Sequence, residues 1–293
     1  MKTKAWLIYA LVTTVFWGVW GAFSELPTRH GFPDTLVYVV WSLTMLPPLV
    51  YALRVVKWRV PLDARSMFLG SMIGFTGAGG QMLLFHAVHI GPTYLIFPVI
   101  ALSPVVTIGL SALILRERAS RVGWAGIALA LLALPLFDYD PGGSFGGHGI
   151  AWFVCALVIM LAWGVQAYYI KLANRTMQAE HIFFYMTVTG LLLAPVAIWM
   201  TDFSQPINYG LDGPWLAAAT QILNAVGVLT LVHAFRNGKA MVVSPLVNAV
   251  APLFTALISM AWQGVVPPPL KMVALALAFL SALLLAIEPE EQH

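Results

Sequence analysis

Apolar residues along this chain fall in long blocks, and polar or charged residues are confined to the short stretches between them. The blocks run for about 16–23 residues, close to the ~20 that an α-helix needs to cross a hydrocarbon core about 30 Å thick. They predict ten helices, over 5–23, 35–53, 66–87, 92–115, 122–137, 149–171, 181–200, 214–235, 241–262 and 270–287. The first block follows Lys2 and Lys4 and so has the look of a signal peptide. Trp17, Trp20 and Phe23 are bulky where a peptidase needs small residues, and no A-x-A site follows, so the block reads as a retained helix.

Composition sharpens this picture. Of the 293 residues, 60% are hydrophobic and 9% charged, against roughly 25% charged in an average soluble domain. So few charges cannot solvate a soluble surface of this size. A soluble enzyme, a nucleic-acid binder and a secreted disulfide scaffold are excluded, and the single Cys155 has no intrachain partner. The expectation is an all-α membrane protein.

Orientation follows from lysine and arginine. With the N-terminus inside, the cytoplasmic loops and ends collect Lys2, Lys4, Arg54, Lys57, Arg59, Arg65, Arg116, Arg118, Arg121, Lys171, Arg175, Arg236 and Lys239. The other side keeps only Arg29 and Lys271. One missed or invented span would flip every later loop, so this asymmetry supports ten spans with both termini cytoplasmic. The loops are short. The flexible connector is Asp138-Tyr-Asp-Pro-Gly-Gly-Ser-Phe-Gly-Gly-His-Gly149, at the middle of the chain. It divides the sequence into 1–140, a glycine-rich linker 141–148, and 149–293.

The two divisions are related. At an offset of 147, Leu84-Phe-His86-Ala87 and Gly91 fall on Leu231-Val-His233-Ala234 and Gly238, and Pro98 falls on Pro245. One residue further on, Pro104 meets Pro252 and Thr107 meets Thr255, while Trp17-Gly18-Val19 meets Trp163-Gly164-Val165 at an offset of 146. Each half holds an odd number of predicted helices, so the halves insert with opposite polarity. Inverted repeats of this kind recur in secondary transporters, whose solute site lies near the midplane between them.

The chain resembles the drug/metabolite transporter superfamily and its EamA-type ten-helix members, over nearly its whole length. The resemblance rests on Trp17-Gly18, on Gly91-Pro-Thr-Tyr-Leu-Ile-Phe-Pro98-Val-Ile-Ala-Leu-Ser-Pro104, and most on Leu113-Ile-Leu-Arg-Glu117-Arg-Ala-Ser-Arg-Val-Gly123-Trp-Ala-Gly126. The second half departs from the pattern, because Gln263-Gly-Val-Val-Pro-Pro-Pro269 carries no counterpart of Glu117. The resemblance implies alternating access and export or exchange of small metabolites, amino acids among them as in some exporters of the superfamily.

Individual residues add candidates. Asp, Glu, Lys and Arg are almost absent from the middle of the spans; Glu25 and Asp34 flank an outer loop. A carboxylate-based proton relay is therefore not expected. The polar groups at mid-depth are amides, Gln81, Gln166, Gln221, Asn224 and Asn248, with Trp41, Trp163, Tyr169 and Tyr185 nearby. Such amides serve either helix–helix hydrogen bonds or a solute cavity. The cavity candidates are Trp17, Trp41, Gln81, Trp163, Gln166, Tyr185, Asn224 and Asn248. Their donors, acceptors and aromatic faces suit an uncharged or zwitterionic solute. Pro98, Pro104, Pro245 and Pro252 sit in mirrored positions where a kinked helix can gate. His86 and His233, repeat mates at opposite mouths, are candidates for protonation or solute contact, or for a hydrogen bond to a neighbouring helix. His86 and His89 share a helix face, but no further ligands converge, so neither a metal nor a cofactor is expected.

The expected function is secondary transport, by an exporter or facilitator of small metabolites in a bacterial-type inner membrane, as a monomer or homodimer. An intramembrane enzyme needs H-E-x-x-H, G-x-S-x-G or mid-span aspartates, and none of these falls within the predicted spans. A sensor subunit would carry a soluble signalling domain or a long tail.

Overall fold

A computed structural model describes residues 5–114, 120–138, 149–173, 175–237 and 240–286. All regular elements among them are helical. The chain runs α1 (Ala5–Phe23), α2 (Leu26–Arg29), α3 (Asp34–Thr44), α4 (Leu46–Val55), α5 (Ala64–Ile90), α6 (Thr93–Ile100) and α7 (Pro104–Ile114). It continues through α8 (Arg121–Asp138), α9 (Ala151–Ala173) and α10 (Ala179–Met200), then a π-turn (Leu211–Trp215) leading into α11 (Leu216–Asn237). Last come α12 (Ala240–Gln263) and α13 (Pro269–Ala286). Among the described residues, seven helical spans are long and apolar enough to cross a membrane, and three shorter apolar helices accompany them. Their outward faces carry large apolar side chains, such as Leu11, Phe75, Leu131, Val158 and Leu192. Such a surface is compatible with lipid rather than water. The chain is a multi-pass membrane protein.

Prolines account for most of the breaks. The predicted helix 35–53 is two helices, because Pro47 and Pro48 lack the N–H groups that would fill the carbonyls of Leu43 and Thr44. The predicted helix 92–115 divides between α6 and α7. There Leu102 N–H donates to Val99 O (3.1 Å) and Ser103 N–H to Ile100 O (2.9 Å), and Pro104 opens α7. The mirrored α12 contains Pro245 and Pro252 yet runs uninterrupted from Ala240 to Gln263. The kink symmetry expected from the paired prolines is therefore unequal, since only the first half breaks its helix.

Asp63 starts α5 by accepting the Ser66 backbone N–H at 3.0 Å. The Ser66 hydroxyl and backbone N–H hold its carboxyl below the usual range. Within α5, Gly70, Gly74, Gly77 and Gly80 line up at helical spacing. A Cβ there would lie 2.3 Å from Tyr185, 2.3 Å from Thr189, 2.1 Å from Gln166 and 2.5 Å from Trp163, respectively. These glycines bring α9 and α10 against α5.

The helices pair across the two halves. α1 packs on α11 and α12, α9 packs on α5 and α7, and α8 packs on α13, where Ser281 Oγ donates to Gly126 O at 2.7 Å. The α8–α9 linker at 141–148 and Glu117 lie outside the described residues.

Candidate functional site

Two seams related by the repeat build the centre. In one, a Cβ at Gly227 of α11 would lie 2.4 Å from the Trp17 indole of α1, and Trp17 Nε1 donates to Asn224 O at 3.3 Å. In the other, a Cβ at Gly80 of α5 would lie 2.5 Å from Trp163 Nε1 of α9, and Trp163 Nε1 donates to Gly77 O at 3.3 Å. Gly80 and Gly227, and likewise Gly77 and Asn224, occupy equivalent repeat positions. The next layer repeats the relation: Thr107 Oγ1 donates to Gly164 O (2.9 Å), and Thr255 Oγ1 donates to Gly18 O (3.1 Å).

The seams differ in what they present. α11 carries two buried amides, Gln221 and Asn224, where α5 carries Gly74 and Gly77. Trp20 Nε1 donates to Gln221 Oε1 at 2.7 Å, and Trp41 Nε1 donates to Asn224 Oδ1 at 3.1 Å. Trp41 also lies over Gly190, whose carbonyl accepts from the Tyr38 hydroxyl at 3.1 Å. Trp17, Trp41 and Asn224 thus meet in one cluster. Trp163 and Gln166 meet along α5, whose Gln81 is 5% exposed and has a side-chain nitrogen with no hydrogen-bond partner.

Tyr185 belongs elsewhere. It packs with Leu69, Ile73 and Met177, and its hydroxyl donates to Pro61 O at 2.5 Å, so it braces the α4–α5 turn instead of joining Trp41. Asn248 and Pro245 lie in α12, but their side chains are outside the described residues. Pro98 is buried within α6, and Pro104 and Pro252 are partly buried. His86 Nδ1 lies 2.8 Å from Asp34 Oδ2, with the histidine side chain exposed. His233 Nδ1 lies 2.9 Å from Leu229 O, which as an acceptor requires the ring to donate there. The Tyr51 hydroxyl lies 3.0 Å from Nε2, and the ring stacks obliquely with Tyr9 and Tyr51. The histidines therefore hold neighbouring helices, whatever else they do.

Four features were not among the sequence-based cavity candidates. Gln221 was legible as a mid-depth amide, but its indole partner Trp20 read as one more apolar residue of the first helix. The glycines Gly80 and Gly227 gain their meaning only with their tryptophan partners placed beside them. Glu25, between α1 and α2, is 4% exposed, with Arg29 at 2.9 Å and Gln263 Nε2 donating to it at 2.9 Å. Gln263 closes α12, so this carboxylate ties α1 and α2 to the second half. Glu180 is also 4% exposed, and with Tyr51, Phe183 and Val228 it lines a cavity of about 10 Å³ beside the His233 cluster.

Both halves match the model of the EamA-like transporter family, over residues 4–137 and 150–287. The chain belongs to the EamA-like transporter family. That places it within the drug/metabolite transporter superfamily, as Trp17-Gly18 and the Glu117-to-Gly126 segment suggest. Protein LicB of Haemophilus influenzae is 22% identical over 228 residues, covering 69% of this chain and 75% of LicB. A solved crystal structure superposes with a TM-score of 0.61 at 17% identity, covering 96% of this chain and 97% of the other. That likeness is one of fold.

Proposed function

We propose that this EamA-family member is a secondary transporter with ten spans, in which the three shorter apolar helices α8, α12 and α13 complete the seven longer ones. Residues 1–140 and 149–293 are then two inverted five-helix repeats joined by 141–148, with both termini cytoplasmic in a bacterial-type inner membrane. The protein acts without catalytic chemistry, as a monomer or homodimer. It exports or facilitates the passage of small uncharged or zwitterionic metabolites such as amino acids. The observation that carries this reading is the mirrored seam: Trp17 on Gly227 and Trp163 on Gly80, each with its indole donating to a backbone carbonyl of the opposite half. Two related interfaces that exchange roles are what alternating access by rocking of one repeat on the other requires.

The solute sits between the seams, against Trp17, Trp41, Gln81, Trp163, Gln166, Asn224 and Asn248, with Tyr185 at the periphery. Pro98, Pro104, Pro245 and Pro252 provide the bending points, and His86 and His233 flank the mouths. Liposome uptake of amino acids, nucleosides and sugars, with and without a pH gradient, tests the reading. Trp163→Ala, Gln166→Ala and Asn248→Ala are expected to change the kinetics of correctly inserted protein. A side chain that only packs changes stability and leaves apparent affinity alone. Unchanged kinetics in all three variants would remove the central site.

A further inference from the structure

The cluster on α11 has a polarity that follows from hydrogen-bond chemistry. An indole N–H is a donor only, so each amide it meets must turn its oxygen toward it. Trp20 therefore fixes Gln221 with Oε1 toward α1, and Trp41 fixes Asn224 with Oδ1 toward α3. Both amides have their acceptor oxygen engaged, and their NH2 groups are directed elsewhere. Gln221 is fully buried and its Nε2 has no hydrogen-bond partner; Asn224, one turn further on, is 7% exposed. The residues are three apart on one helix and so share a face, with Cβ atoms about 5–6 Å apart.

The repeat shows that packing does not demand this arrangement. The mates of Gln221 and Asn224 are Gly74 and Gly77, and that seam closes with no amide on its α5 side at those positions. An amide donor left without an acceptor in a buried site is costly; Gln81 of α5 carries one as well, but the repeat positions of Gln221 and Asn224 themselves need none for the seam to close.

We propose that Gln221 and Asn224 form a subsite that reads hydrogen-bond acceptors: it takes a solute presenting a carbonyl or carboxylate oxygen to the two NH2 groups and rejects one whose only polar group is an amine. This rests on the transport reading above and narrows it to oxygen-acceptor solutes. Trp20 and Trp41 are positioning residues, because they act by preventing the amides from turning. A site built to satisfy buried polar groups discriminates strongly against an analogue that leaves them unpaired.

The test uses the full chain in nanodiscs, titrated with butyrate, butyramide and butylamine and with the 3-phenylpropyl carboxylate, amide and amine. Tryptophan fluorescence and the melting temperature give the readouts. On at least one scaffold the carboxylate or amide is expected to bind at least about tenfold more tightly than the amine. Trp20→Phe and Trp41→Phe keep an aromatic ring but free the amide, and should narrow that ratio to about twofold. Gln221→Glu keeps the acceptor that Trp20 needs and removes the donor, so it should cost about tenfold in acceptor binding even where a tryptophan variant fails to fold. Amines that bind as well as acceptors, ratios unmoved in folded variants, or no response to any probe would each overturn the subsite. Saturable liposome uptake of amino acids persisting alongside such a result would leave the transport reading standing. Absence of uptake in the liposome screen would remove the transport reading itself.

Discussion

Gly80→Ala and Gly227→Ala probe the mirrored seam most directly. A methyl group at either position meets the facing indole at 2.5 or 2.4 Å, well inside van der Waals contact. Overpacking of this kind costs about 1–3 kcal/mol. Replacing glycine by alanine within a helix also returns up to about 1 kcal/mol of propensity, which opposes the clash. Gly79, next to Gly80 in α5, separates the two terms, because a Cβ there meets nothing within 4 Å. Gly79→Ala is therefore expected to be neutral or to stabilise by up to about 1 kcal/mol. Gly80→Ala should fall about 1–3 kcal/mol below it in equilibrium unfolding from mixed micelles. Gly227→Ala should behave like Gly80→Ala. Removing the indole in Gly80→Ala/Trp163→Ala and in Gly227→Ala/Trp17→Ala should reveal a coupling of at least about 0.5 kcal/mol in each cycle. Equal stability of the Gly79 and Gly80 variants, or additivity in either cycle, would refute the seam.

Thr107→Val and Thr255→Val each remove one hydroxyl that reaches across to a glycine carbonyl, and each should lower stability by about 0.6–1 kcal/mol in the same unfolding assay. The Asp63 carboxyl is held below its ordinary value of 3.8 by Ser66. A depressed carboxyl contributes stability above its unfolded pKa and loses that contribution as pH falls through the lower folded pKa. The advantage of the native chain over Asp63→Ala should therefore be full at neutral pH and shrink below about pH 3.8, as read by melting temperature against pH. Reporter fusions at residues 60 and 145 should report opposite sides of the membrane; the same side for both would break the ten-span topology.

Much of the architecture was legible before any coordinates. Block lengths near a bilayer thickness, the scarcity of charge and the offset of about 147 all follow from solvent and periodicity, which act locally or repeat along the chain. The glycine stripe Gly70, Gly74, Gly77 and Gly80 marks a close approach and Pro98 and Pro104 mark a kink, because backbone chemistry alone sets those outcomes, whereas 35–53 reads as one helix in sequence and divides at Pro47-Pro48. The family resemblance on Trp17-Gly18 and Glu117 to Gly126 came from the same string of residues, and the match over both halves bears it out.

Partnership was not legible. Nothing local says that Trp20 reaches Gln221, that Trp41 reaches Asn224, or that Tyr185 leaves the centre for Pro61, since these partners are separated by 201, 183 and 124 positions. The burial of Glu25 has no local sign either, because its partner Gln263 lies 238 positions away. Mirrored prolines likewise gave no sign that α6 and α7 would separate while α12 stayed whole. Sequence determined which groups are polar, how deep they lie and which are repeat mates. Tertiary structure decided which amide oxygens are already taken, and hence which donors remain, because a hydrogen bond depends on the distance and direction between two atoms, whatever their separation along the chain.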